Sequence, residues 1–163
     1  MQKLHLLRAH LINAVPTLAK DPERLLTFVE EGSIAFRRGP NLTHEYQFTA
    51  QLVLTDFSAN LDTIIVPLLQ WLAEYQPDPD PAEAIRFEAE ILSHQSVDVA
   101  LRVTLSERVL AKVECATGHI KVDRALPRFD STGCPDTRWQ LLIRDSDAQN
   151  DYTLVAEWDG PHG

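Results

Sequence analysis

Between Val97 and Ser106, apolar residues fall at every second position: Val97, Val99, Leu101, Val103 and Leu105 alternate with Asp98, Ala100, Arg102, Thr104 and Ser106. Successive side chains of an extended chain point to opposite faces, so this segment must lie in a sheet with one face buried and one wet. The stretch from Glu45 to Thr55 repeats the pattern. Tyr46, Phe48, Ala50, Leu52 and Leu54 stand against Gln47, Thr49, Gln51 and Thr55, and Val53 breaks the polar side once. Phe87, Ala89 and Ile91 alternate with Arg86, Glu88 and Glu90. Weaker strands are predicted over 109–115 and 119–122 around a turn at Thr117-Gly118. A terminal hairpin is predicted from 138–143 and 152–157, joined by the polar segment 144–151.

Helical spacing governs other segments. Leu4, Leu7, Leu11, Ile12, Val15 and Leu18 recur every three to four residues, and Pro16 within that run calls for a kink or stop. From 22 to 31 a second helix is predicted, capped by Asp21, opened by Pro22 and ended by Gly32, with Leu25, Leu26, Phe28 and Val29 as its stripe. A third runs from Leu61 to Tyr75, with Ile64, Ile65, Leu68, Leu69 and Leu72 on its apolar side, Asn60 or Ser58 as its cap, and a bend or short preceding turn at Pro67. Three prolines in 76–81 make a semi-rigid connector, and Pro127, Gly133 and Pro135 make 124–137 a loop or arm. Helices first and strands afterwards give an α+β fold, a mostly antiparallel sheet with helices packed on one face. At 163 residues the chain suits one domain spanning 1–163.

Charge narrows the function. The net charge is −9, unevenly spread: the first 44 residues hold six Lys/Arg against four Asp/Glu, and the rest hold nine against twenty. That balance argues against broad binding to a nucleic-acid backbone, and no apolar run is long enough to span a membrane. Two cysteines, Cys115 and Cys134, make no disulfide framework, and no apolar segment of a signal peptide follows Met1, so an intracellular protein is expected. The six histidines are scattered without metal-ligand spacing, no nucleophile motif occurs and the six glycines form no phosphate loop. Asp56 and Asp62 bracket a strand-to-helix turn, where short acidic side chains serve as turn and cap formers rather than as a catalytic pair. Arg37-Arg38-Gly39 reads as a solvated loop. Asp145, Asp147 and Asp151 lack the glycine and glutamate of a calcium loop and read as an acidic hairpin tip. Neither metal nor cofactor is expected, and the chain does not read as an enzyme. Trp71 reads as core; Trp139 and Trp158 on the last two strands are either interface anchors or core. The apolar faces of the strands and of helix 61–75 read as core rather than binding surface.

An ordered series of motifs adds a family. Phe28-Val29 with Gly32-Ser33-Ile34-Ala35, Tyr46, Thr55-Asp56-Phe57, Asp62, Ile65-Val66-Pro67 with Leu69 and Trp71-Leu72, Gln76-Pro77-Asp78, Leu105-Ser106-Glu107-Arg108 and the terminal Trp158-Asp159 together resemble the phage tail completion protein R family. The resemblance spans most of the chain and is weakest over 124–163. It implies a tail-terminator-like fold and a structural role, completing or terminating the tail tube of a contractile-tailed phage or prophage at its head-proximal end and preparing it for head joining. It further implies assembly in the host cytoplasm, a place in the virion tail, and a hexameric ring of this chain. Its partners would be the tail tube protein and head–tail connector proteins, with no nucleic acid and no membrane. A non-enzymatic α+β adaptor or small-ligand domain unrelated to tails is the alternative.

Overall fold

The computed structural model describes residues 1–77, 79–93, 96–126, 128, 129, 133, 134, 138–144 and 151–160. Asp78, half of the 124–137 segment and most of the 144–151 segment lie outside them.

The N-terminal periodicity gives two helices, α1 (Gln2–Ala14) and α2 (Pro16–Lys20). They break at Val15, which is extended as a residue before proline must be, so the stop expected at Pro16 is observed. The predicted helix over 22–31 is corrected. Only a single 3-10 turn, Pro22–Arg24, uses the Asp21-Pro22 signal, and the chain then enters strand β1 (Leu25–Phe36). Gly32 therefore ends no helix; it lies within β1 opposite Phe48. Strand β2 (His44–Phe57) follows, then helix α3 (Asp62–Tyr75). Asn60 opens α3: its Oδ1 accepts the Asp62 N–H at 2.9 Å and its carbonyl accepts from Thr63 Oγ1 at 2.7 Å.

Strands β3 (Ile85–Ile91) and β4 (Val97–Glu114) come next, followed by β5 (His119–Ala125). The two strands expected over 97–106 and 109–115 are thus one strand of 18 residues. The sheet runs β1-β2-β4-β3, and β5 pairs with the far half of β4 where β3 has ended. Strands β6 (Arg138–Ile143) and β7 (Thr153–Asp159) form the expected terminal hairpin as a separate two-stranded sheet. Every pairing is antiparallel, and the fold is α+β.

Register decides which residues share a face. Leu52 lies opposite Leu101, which lies opposite Phe87, and Ala50 opposite Val103, which lies opposite Ile85, so these side chains all share the face toward the helices. Leu52, Leu101, Leu105, Ile64, Leu68, Leu7 and Leu11 are sealed from solvent in one cluster built from helices and sheet. Burying such a side chain contributes about 1.5–3 kcal/mol, so this layer holds the helices on the sheet. The outer face is polar. At its centre Arg102 reaches Glu88 on β3 at 2.8 Å and Glu30 on β1 at 3.0 Å, and these hydrogen bonds, that to Glu88 first, raise its pKa above the ordinary arginine value.

Candidate interaction surfaces

The Thr55-Asp56-Phe57 motif is a device of backbone geometry. Asp56 has φ 51°, in the left-handed region that Asp tolerates better than most residues, and register shifts there between Leu54 and Phe57. Simple alternation would place residue 56 on the helix face beside Leu54. The extra residue of the bulge instead turns Phe57 into the core, where it is buried. Two contacts hold the bend: the Asp56 N–H donates to Asp98 Oδ1 at 2.7 Å, and Arg24 Nη1 donates to the Asp56 carbonyl at 2.9 Å. Asp62, in the first turn of α3, is exposed at the helix end that favours a negative charge.

Gln76 closes α3 and joins three elements. Its Oε1 accepts from Lys3 Nζ at 3.0 Å and from the Ser106 N–H at 3.2 Å, and its Nε2 donates to Ser106 Oγ at 2.8 Å. Lys3 Nζ also donates to the Tyr75 carbonyl at 2.7 Å, and the Lys3 N–H donates to Glu107 Oε2 at 2.9 Å. Glu107 is fully buried, with its other oxygen 3.0 Å from Arg124 Nε as a charge contact rather than an aligned hydrogen bond. The start of α1, the end of α3 and mid-β4 are thereby locked together. Sequence reasoning missed this junction, although a signal existed: Glu107 falls in the apolar phase of β4, two residues after Leu105.

Other motif residues are also placed. Pro67 is buried inside α3, and its carbonyl lies 3.2 Å from His10 Nε2 on α1. Trp71 is buried, its ring tilted against Tyr75 at 5.0 Å. Tyr75 has a raised pKa because burial disfavours the phenolate; Glu74 adds to the rise and Arg128 opposes it. Phe28, expected on a helix stripe, sits half-exposed on the outer face of β1 opposite Gln51, and Pro77 is exposed. A Cβ on Gly32 would lie 3.5 Å from Phe48 Cβ, an ordinary contact, so steric room does not demand glycine there.

The terminal hairpin packs back on the chain. Trp158 is buried with Ala14 and Ala156 in a small second core against which Trp139 and Leu141 lie half-buried. Trp158 Nε1 donates to Gln70 Oε1 at 2.8 Å. The Trp158 indole is therefore held from within the chain, and Trp139 offers only one side to the outside. A cavity of about 540 Å³ between α1, α3 and this hairpin is lined by Leu6, His10, Asn13, Trp158 and neighbouring residues. No cluster of three or more metal-capable His, Cys, Asp or Glu occurs among the described residues, and no helix among them is long and apolar enough to cross a membrane.

The expectation that apolar strand faces are core fails at both ends of the sheet. The helices cover its middle only. On the helix face, Phe87 is 61% exposed and Ile91 82% at one end, and Ile34 is 57% and Phe36 69% exposed at the other. Ile120 and Val122 on β5 and the outward Leu69 of α3 are exposed as well. These uncovered strips, on a main sheet whose edge strands β1, β3 and β5 each have only one neighbour among the described residues, are surfaces suited to protein contact.

Comparison with known proteins agrees with that reading. The family model for P2 phage tail completion protein R (GpR) matches residues 1–127. Tail completion protein R of Escherichia phage P2 is 35% identical over 164 residues, covering 98% of this chain and 99% of that protein. No solved structure matches the chain. On a family match over residues 1–127 and a full-length relative, this chain belongs to the P2 phage tail completion protein R family.

Proposed function

We propose that this chain, acting as one structural unit, completes the phage tail at its head-proximal end, limiting the tube and preparing it for head joining. The observation that carries the proposal is the full-length similarity to tail completion protein R of phage P2. The geometry supports it. A subunit that caps a polymer is finished by its neighbours, and this sheet leaves apolar side chains uncovered at both ends.

The chain works without catalysis, assembles in the host cytoplasm and enters the virion tail. Its partners are the last ring of tail tube protein, the head–tail connector proteins and further copies of itself in a closed ring. Electron microscopy of tails made with and without the gene tests the role. Without it, tails of uncontrolled length or tails that fail to join heads are expected. Tails of normal length joined to heads in normal yield would overturn it.

A further inference from the structure

The two uncovered apolar ends of the sheet differ in charge. At the tip of the β1–β2 hairpin, Ile34, Phe36, Leu42 and His44 line a groove of about 480 Å³ rimmed by Arg37 and Arg38. At the opposite corner, on β3, stand Phe87 and Ile91, the latter the most exposed large apolar side chain among the described residues. That corner is acidic. Glu90 precedes Ile91 and lies opposite Asp98 on β4, while Glu88, nearer the middle of the strand, is neutralised by Arg102.

These patches cannot meet within one molecule. Phe36 lies opposite His44 at the start of β2, whereas Ile91 lies opposite Val97, which pairs with Phe57 at its end. The strand between them has 14 residues, a span of about 45 Å. Nor does either patch suit contact with its own copy, since a two-fold arrangement would bring Arg37 and Arg38 against themselves, or Glu90 against itself. Opposite charge around two apolar surfaces at opposite corners fits one arrangement, a head-to-tail contact between copies.

We propose that Ile91 of one copy seats in the hairpin-tip groove of the next, against Ile34 and Phe36, with Glu90 facing Arg37 and Arg38. Each copy then offers one groove and one plug. Such a heterologous contact repeats until rotation closes it into a ring. This inference rests on the ring reading above and assigns it two surfaces. The uneven charge of the chain, a basic first quarter and an acidic remainder, has the sense that such a joint requires.

The test is thiol cross-linking in assembled tails. Cys115 and Cys134 are exposed and are first replaced by serine. Arg38→Cys and Glu90→Cys are then introduced together, both at exposed positions outside the core. A short bismaleimide should give a ladder of multimers of this chain, and neither cysteine alone should give any. Dimers from a single-cysteine variant, cross-links only to another tail protein, or no chain-to-chain product in completed tails would overturn the contact. Charge reversal supplies an independent readout. Arg38→Glu or Glu90→Lys alone should lower the yield of head-joined tails at least tenfold, and the double variant should restore it. Equal loss in all three would count against the pairing. Completed tails without cross-links defeat this contact alone, whereas normal tails without the gene defeat the completion role itself.

Discussion

Replacing Gln76 by alanine should weaken the whole fold, because one amide serves α1, α3 and β4 together. The substitution removes two hydrogen bonds to Ser106, at 2.8 and 3.2 Å, and one from the Lys3 ammonium at 3.0 Å. A neutral bond contributes about 1 kcal/mol and one to a charged group about 1.5–3 kcal/mol, so the loss should total about 3–5 kcal/mol. Lys3 keeps the Tyr75 carbonyl, so its charge is not stranded. Against a typical domain stability of about 5–15 kcal/mol this is a large fraction. Urea unfolding followed by tryptophan fluorescence reads it directly. With an m-value of about 2 kcal/mol/M, the midpoint should fall by about 2 M with m unchanged. Gln76→Glu keeps the acceptor for Lys3 and Ser106, so it should recover most of the loss. A midpoint shift for Gln76→Ala below about 0.25 M would refute the junction as a structural clamp, since surface substitutions of about 0.5 kcal/mol fall in that range.

Three further outcomes follow from the geometry. Asp56→Val forces a β-branched residue into the left-handed region and should destabilise by about 1–3 kcal/mol, whereas Asp56→Gly should stay within about 1 kcal/mol of the parent in the same urea assay. Trp158→Phe removes the bond to Gln70 from a buried site and should lower stability by about 1–2 kcal/mol, with a changed near-ultraviolet circular dichroism spectrum. The raised pKa of Tyr75 means that stability is intact below about pH 10, the unfolded value, and falls as pH climbs through the higher folded value. Tyr75→Phe should flatten that alkaline decline; an unchanged decline measured by urea midpoints across pH would show that Tyr75 does not cause it.

Legibility followed burial. The inner halves of β2 and β4 alternate cleanly because one face meets the helices and the other meets water, so both strands could be read directly. β1 could not. It is an edge strand exposed on both sides along most of its length, and a bulge between Val29 and Glu31 breaks its phase, so Leu25, Leu26, Phe28 and Val29 mimic a helical stripe. The Asp21-Pro22 start signal was real but was spent on one turn. Glu107 interrupts the apolar phase of β4, so periodicity alone divides this one strand near Ser106. The partners of that buried carboxylate, Lys3 by a hydrogen bond and Arg124 by a charge contact, are distant in sequence, so its place in the apolar phase is the one local trace it leaves. The interaction surfaces were hidden for the converse reason. Phe87 and Ile91 carry a core pattern, and only the reach of the helices reveals that no helix covers them.

The most direct measurement is cryo-electron microscopy of the head-proximal end of purified tails. This account predicts a closed ring of this chain seated on the last ring of tube protein, with the β1–β2 tip of each copy against β3 of its neighbour. Tails whose terminal ring is built from another protein, with this chain absent from the particle, would contradict it.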